Sequence, residues 1–152
     1  MQKRMTTFAT HAADAYKGFL AVEGFLHGGV LPDALLHLLK LRVSQINGCA
    51  YCVDMHAHDL RKAGESDERL WSLAAWREAP FYTDEERAAL ALAEAATRIA
   101  DNPGGVPDEI WDEAADHFDE KQLAALIAAI ANINAWNRIN VILRNPAGSH
   151  RP

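Results

Sequence analysis

The amino-acid sequence predicts an all-α protein, a single-domain bundle of six to seven helices. Apolar residues recur mostly at intervals of three and four positions, and no sustained run alternates apolar with polar residues as a half-buried strand would. Signals that start and stop helices recur along the whole chain. With 152 residues, 49% of them hydrophobic and 24% charged, the chain can bury one substantial core. We therefore predict one domain over residues 1–152.

Glycine, proline and hydroxyl or carboxylate caps delimit the predicted helices. Four helices are predicted in the first half, at Thr7–Leu26, Pro32–Gln45, Cys49–Gly64 and Ser66–Trp76. Three more follow: one begins with the capping box of Thr83 and Glu86, one begins at Pro107, and Asp119 with Gln122 caps a long last helix. The segment Asn102–Gly105 is a clear loop between the first two of these.

Charge and hydropathy exclude some classes of function. The net charge is −6 and no cluster of lysine and arginine stands out, so we expect no nucleic-acid partner. The most apolar segment, Leu123–Leu143, contains four asparagines and an arginine, which favours a buried helix over a membrane span. The charged N-terminus has no apolar stretch after it and therefore does not resemble a signal peptide. With only two cysteines, the chain fits a reducing cytoplasm.

Two helical stretches are apolar around much of their circumference. These are Leu35–Leu41 and Ala124–Ala131. A helix that is apolar nearly all round must be covered on more than one side, and a partner subunit can provide that cover. We therefore expect a homo-oligomer; the alternative is a leucine-rich core within one chain.

The sequence Cys49-Ala-Tyr-Cys52, with His56 four residues later, is the feature most informative about chemistry. On a helix, Cys49, Cys52 and His56 share one face. Two thiols at this spacing can close a reversible disulfide, and a histidine one turn on can exchange the thiol proton. Redox chemistry is therefore the favoured interpretation.

The residues alone leave two points open: which cysteine attacks, and whether the pair is a redox site. Position at a helix N-terminus favours Cys49 as the thiolate, whereas the neighbouring histidine favours Cys52. We assign Cys52 as the attacking thiol and Cys49 as the resolving thiol. Half of a zinc site and inert packing are the alternatives for the pair, but a second CxxC or an HxxxH motif is missing from the sequence.

The string around the cysteines, Leu41–His56, resembles the core of the carboxymuconolactone decarboxylase superfamily, and most closely its AhpD-like alkylhydroperoxidase branch. The resemblance continues through Ala75–Pro80, Thr83–Ala96 and Ile133–Arg138. It thus covers a core of about 31–143, and its SQxNxCxYCxxxH pattern is far more specific than a bare CxxC.

This resemblance implies an all-α fold assembled as a trimer or hexamer, with thiol-dependent peroxidase activity in antioxidant defence and with no metal or flavin cofactor. It implies that Cys49 and Cys52 are the redox pair and that His56 relays protons. A hydroperoxide is the expected substrate, and an external dithiol or disulfide reductase is the expected electron donor.

One position departs from the family pattern. The AhpD pattern has a glutamate twelve residues before the first cysteine, as the far end of its proton relay, and this chain has His37 there. A histidine can also accept and pass a proton, so His37 is predicted either to replace the acid in the relay or to be a surface or interface residue. Glu23 and Glu94 are other possible acids.

Two other functions remain to be distinguished from peroxidase. The decarboxylase branch of the superfamily consists of cofactor-free lyases acting on a lactone acid, and that chemistry needs no redox cysteine pair. The chain could also be a non-catalytic redox sensor. Asn134, Asn137 and Arg138 could reach the thiols, but completing buried hydrogen bonds is the favoured interpretation of these side chains.

Overall fold

The computed structural model describes residues 2–150, and all its regular structure is helical. This described range contains eight α-helices, one 3₁₀-helix and no β-strand. The all-α prediction is therefore confirmed. The helices are α1 (Phe8–His11), α2 (Ala13–Leu26), α3 (Asp33–Ile46), α4 (Ala50–Lys62), α5 (Asp67–Ser72), α6 (Asp84–Thr97), α7 (Asp108–His117) and α8 (Glu120–Leu143), with the 3₁₀-helix at Leu73–Ala75.

The helix count exceeds the predicted six to seven because the first predicted helix is broken. Ala12 leaves the helical region at φ −113°, ψ 41°, which separates α1 from α2. The Ala12 N–H still donates to the Phe8 carbonyl, and its own carbonyl accepts from the Tyr16 N–H. These two bonds persist through the bend, and the apolar spacing on either side gives no sign of it.

Both predicted capping boxes are present. Thr83 Oγ1 accepts from the Glu86 N–H at 3.2 Å, and the Glu86 carboxylate accepts from the Thr83 N–H at 2.9 Å. Asp119 and Gln122 make the same reciprocal pair at the start of α8. Each cap contributes on the order of 1 kcal/mol to helix stability. These short polar motifs fix where α6 and α8 begin.

Helix α3 lies at the centre of the bundle and packs against α4, α6 and α8. Its leucines at 35, 36, 38, 39 and 41 are all buried within this one chain. The apolar circumference of Leu35–Leu41 is thus covered by the subunit itself, so this helix does not require a partner subunit. For this stretch the burial agrees with the alternative, a leucine-rich core within one chain, and the oligomer stays a prediction.

Helix α8 is covered on one side only. It packs against α2, α3 and α6 through residues such as Leu126, Ala129 and Ile133, while Ile127 and Ile142 are 50% and 62% exposed. By length and composition alone it could cross a membrane, a test that the core helix of a soluble protein also passes. Its buried face belongs to the main core, as expected for a helix of a soluble helical domain.

Candidate active site

The turn between α3 and α4 presents the cysteine pair. Gly48 adopts φ +68°, a conformation that glycine takes without steric cost, and the chain reverses direction there. Cys49 follows in an extended conformation as the N-cap of α4, and its Sγ accepts from the Cys52 N–H at 3.4 Å. Cys49 therefore lies just before the first turn of the helix, and Cys52 lies within that turn.

Cys49 and Cys52 are joined by a disulfide bond, and each residue is only 1% exposed. Of the two, Cys52 alone lines the cavity that the described residues enclose next to the pair. A small molecule in that cavity would therefore meet the Cys52 sulfur first. The cavity therefore lies on the Cys52 side of the pair, and the assignment of Cys52 as the attacking thiol stays a prediction.

The cavity has a volume of about 470 Å³ and lies between the N-terminal segment, α2, α3, α4 and α8. One part of its wall is apolar and aromatic, and another part is ionisable. The apolar side chains include Phe8, Tyr16, Leu20, Met55, Ile133 and Trp136, and the ionisable ones are Lys3, Glu23, His27, His37, Lys40, Tyr51, His56 and Asp59. The space fits a small organic molecule with a reactive polar group.

His56 is buried on α4, one turn after Cys52. Its Nδ1 lies 3.3 Å from Nδ1 of His37, and its Nε2 has no hydrogen-bond partner among the described residues. Burial, followed by the positive charge of Lys40, lowers the pKa of His56 well below 6.5. The imidazole is therefore neutral near pH 7 and is available as a base.

His37 lies in the cavity wall beside His56, so the structure does not make it a remote surface residue. Burial is the main cause that lowers its pKa, while Asp59 opposes that shift; the Asp59 carboxylate is 4.0 Å from His37 Nδ1. On its other side the ring packs against His27, with centroids 5.6 Å apart. His37 thus connects the buried His56 to two groups nearer the surface.

His27 and Asp59 also line the cavity, although neither was predicted as a site residue. His27, which follows the last residue of α2, is 36% exposed at its side chain, and its Nδ1 lies 2.7 Å from the Asp33 carboxylate. Together His56, His37 and His27 form a row of imidazoles that runs from the thiols toward solvent. Neither the glycines that follow His27 nor the apolar spacing of α3 predicts that these three imidazoles lie next to one another.

The other candidate acids and amides have different positions. Glu23 lies in the cavity wall and pairs with the buried Lys40 at 2.5 Å, whereas Glu94 is outside the cavity and binds Arg42, Arg77 and Trp76. The two arginines and Trp76 bind the Glu94 carboxylate, so Glu94 stabilises the folded helices and is not a residue of the site.

The predicted structural role of the amides in α8 agrees with their contacts. Asn134 and Asn137 both accept from the Asn47 side chain, and Asn137 also donates to Ser44. Arg138 is bound to Asn134 on the same helix. These bonds tie α8 to the turn that carries Cys49.

One group of side chains could hold a metal ion. The donor atoms of His37, His56 and Asp59 lie within 4.8 Å of one another. Two imidazoles and a carboxylate are a common ligand set for a divalent cation. The ammonium of Lys40 lies close enough to lower the pKa of both histidines, and the same charge opposes a cation there.

The fold and the site define a class: a helical protein with a cysteine pair beside a histidine-lined cavity. Residues 11–95 match the carboxymuconolactone decarboxylase family. The chain is 41% identical to the uncharacterized protein YdfG of Bacillus subtilis (strain 168) over 91% of this chain and 92% of YdfG. It is 36% identical to the uncharacterized protein YnjA of Escherichia coli (strain K12) over 77% of this chain and 63% of YnjA.

Solved structures agree with this assignment. ATU0492 from Agrobacterium tumefaciens is a protein of unknown function with a suggested identity as the antioxidant defence protein AhpD. It superposes with a TM-score of 0.89 at 37% identity over 96% of this chain and 98% of its own. The apo debrominase Bmp8 gives a TM-score of 0.78 at 22% identity over 92% and 74% of the two chains, which shows a shared fold alone. The chain belongs to the carboxymuconolactone decarboxylase family and is an AhpD-like member of that superfamily.

Proposed function

We propose that this protein is a thiol-dependent hydroperoxide reductase of antioxidant defence. The observation that carries the proposal is the position of Cys52. Its sulfur lines a cavity of about 470 Å³, is bonded to a second cysteine, and precedes by one turn a buried neutral histidine. Nucleophile, resolving thiol and base are thus within one segment of eight residues, as thiol-based peroxide reduction requires.

In the proposed reaction, the reduced pair loses two electrons to the peroxide. His56 takes the proton of the Cys52 thiol, and the thiolate attacks the distal peroxide oxygen. The O–O bond breaks, Cys52 becomes a sulfenic acid, and the alkoxide takes the proton from His56 and leaves as an alcohol. Cys49 then attacks the Cys52 sulfur, water leaves, and the disulfide seen here forms. An external dithiol restores both thiols by exchange.

Hydroperoxide consumption by the wild-type protein tests the proposal. The reduced protein should consume one organic hydroperoxide per disulfide formed, and it should turn over when a dithiol is supplied. No consumption above background with any of several dithiols would overturn it. The same sample offered a lactone acid tests the decarboxylase alternative, which has less support because that chemistry makes no use of a thiol pair.

His37 is proposed to pass protons between His56 and solvent. Replacing it in His37→Ala should lower peroxidase turnover about 10-fold or more and alter the pH–rate profile, because His56 loses the imidazole that lies 3.3 Å away. Oxidation of the thiols by diamide should still give the disulfide. His117→Ala, which removes a histidine from α7 outside the cavity, is the matched control. An unchanged rate and profile in His37→Ala would remove His37 from the relay.

We also propose a homo-oligomer, a trimer or hexamer, in the cytoplasm. The support is the uncovered side of α8, where Ile127, Val141 and Ile142 are about half or more exposed. Light scattering should then return three or six times the chain mass of 16.7 kDa. The mass of one chain would contradict this assembly.

A further inference from the structure

The Cys52 sulfur has a side-chain contact from a helix distant in sequence. Asn140 on α8 directs its Nδ2 at Cys52 Sγ, with a separation of 3.6 Å. Asn140 is 9% exposed and lines the same cavity as Cys52. An amide N–H at this distance from sulfur is a hydrogen-bond donor, and a donor favours an anion over a neutral thiol.

Hydrogen bonds fix which end of the Asn140 amide faces the sulfur. Its Oδ1 accepts from Asn145 Nδ2 at 2.7 Å, and its Nδ2 also donates to the Trp136 carbonyl at 2.9 Å. Turning the amide over would place Oδ1 against the Trp136 carbonyl, so that two acceptors would face each other. That contact is repulsive, so only the donor end can meet Cys52.

The backbone at the end of α8 positions Asn145 so that it binds Asn140. Arg144 adopts a left-handed conformation, φ 54° and ψ 46°, and the Asn145 N–H then donates to the Asn140 carbonyl at 3.1 Å. Backbone and side chain of Asn145 thus both bind Asn140. The Asn140 amide is preorganised, and an oriented dipole in a buried site stabilises charge without reorganising.

We propose that Asn140 is a catalytic hydrogen-bond donor that stabilises the Cys52 thiolate. The inference rests on the proposed function, in which Cys52 attacks the peroxide. Each sulfur then has its own donor: the Cys52 N–H for Cys49, and the Asn140 amide for Cys52. The side-chain donor is the one that reaches the sulfur on the cavity side.

The experiment measures thiol ionisation and needs no peroxide. In a Cys49→Ser background, the rate of Cys52 alkylation by iodoacetamide is followed against pH. Adding Asn140→Ala should raise the midpoint by about one pH unit and slow alkylation at neutral pH about 10-fold, since less thiolate is present. Asn140→Asp has the same shape but places a carboxylate at the sulfur, and it should raise the midpoint at least as far.

Control variants test whether a change in the midpoint comes from the Asn140 amide itself. Asn134→Ala removes an amide from the same helix that does not touch the sulfur, and it should leave the midpoint unchanged. The charged and titratable groups that line the cavity around Cys52, namely Lys3, Tyr16, Glu23, His27, His37, Lys40, Tyr51, His56 and Asp59, are the same in all variants. If the alanine variant fails to fold, as judged by circular dichroism, Asn140→Leu carries the test, because leucine has a similar shape and neither a donor nor a charge.

The outcomes also distinguish this inference from the proposed function. Unchanged midpoints in folded Asn140→Ala or Asn140→Asp would overturn the role of Asn140 even in an active peroxidase. A raised midpoint in Asn140→Ala or Asn140→Leu supports it even if the wild type consumes no peroxide, in which case the proposed function alone fails.

Discussion

Replacing Cys52 by serine is expected to abolish hydroperoxide reduction, with a loss of about 10³-fold or more in turnover. Serine has a hydroxyl that does not ionise at neutral pH, and the substitution removes the cysteine that lines the described cavity. The measurement is consumption of an organic hydroperoxide by the reduced protein in the presence of a dithiol. A buried cysteine and a serine have nearly the same volume, so we expect the variant to keep its fold. Circular dichroism checks this.

Cys49→Ser is the matched control, because it removes the other half of the disulfide and leaves the attacking sulfur in place. We expect its first turnover to persist and Cys52 to accumulate as a sulfenic acid, trapped by dimedone and seen by mass spectrometry. If instead Cys49→Ser lost the first turnover and Cys52→Ser kept it, the two thiols would have exchanged roles. Equal rates in the wild type and both variants would exclude thiol catalysis.

The local part of this site was predictable from the sequence. The spacing of Cys49, Cys52 and His56 depends on one helix, and the capping boxes at Thr83 and Asp119 depend on four residues each. Such signals survive folding because their partners are near in the chain. The same holds for the all-α fold, which the three- and four-residue spacing of apolar residues determines.

The parts that could not be predicted depend on contacts between helices. His27, just after α2, meets His37 on α3, and Asn140 reaches Cys52 across 88 positions of sequence. The coverage of α3 within one chain is likewise a matter of packing, so its apolar circumference alone suggested a partner subunit that the helix does not need. A histidine or asparagine in an apolar helix indicates a polar contact with another helix, but the sequence does not show which helix that is.

Glu23→Ala is expected to destabilise the folded protein by about 3 kcal/mol. Lys40 is 1% exposed, and its ammonium pairs with the Glu23 carboxylate at 2.5 Å. Removing the carboxylate leaves a positive charge in the interior without its partner, and the Asn132 side chain also loses the Glu23 oxygen to which it donates at 2.8 Å. Urea unfolding followed by circular dichroism measures the change in the free energy of unfolding.

Lys40→Met is the matched variant on the other side of the pair. It should cost less than Glu23→Ala, because the Glu23 side chain is 24% exposed and can be hydrated, whereas the lysine cannot. Combining Lys40→Met with Glu23→Leu should recover much of the stability lost in Glu23→Ala, since a packed apolar pair replaces a buried ion pair at little net cost. A loss below about 1 kcal/mol in Glu23→Ala would show that the ammonium does not depend on this carboxylate.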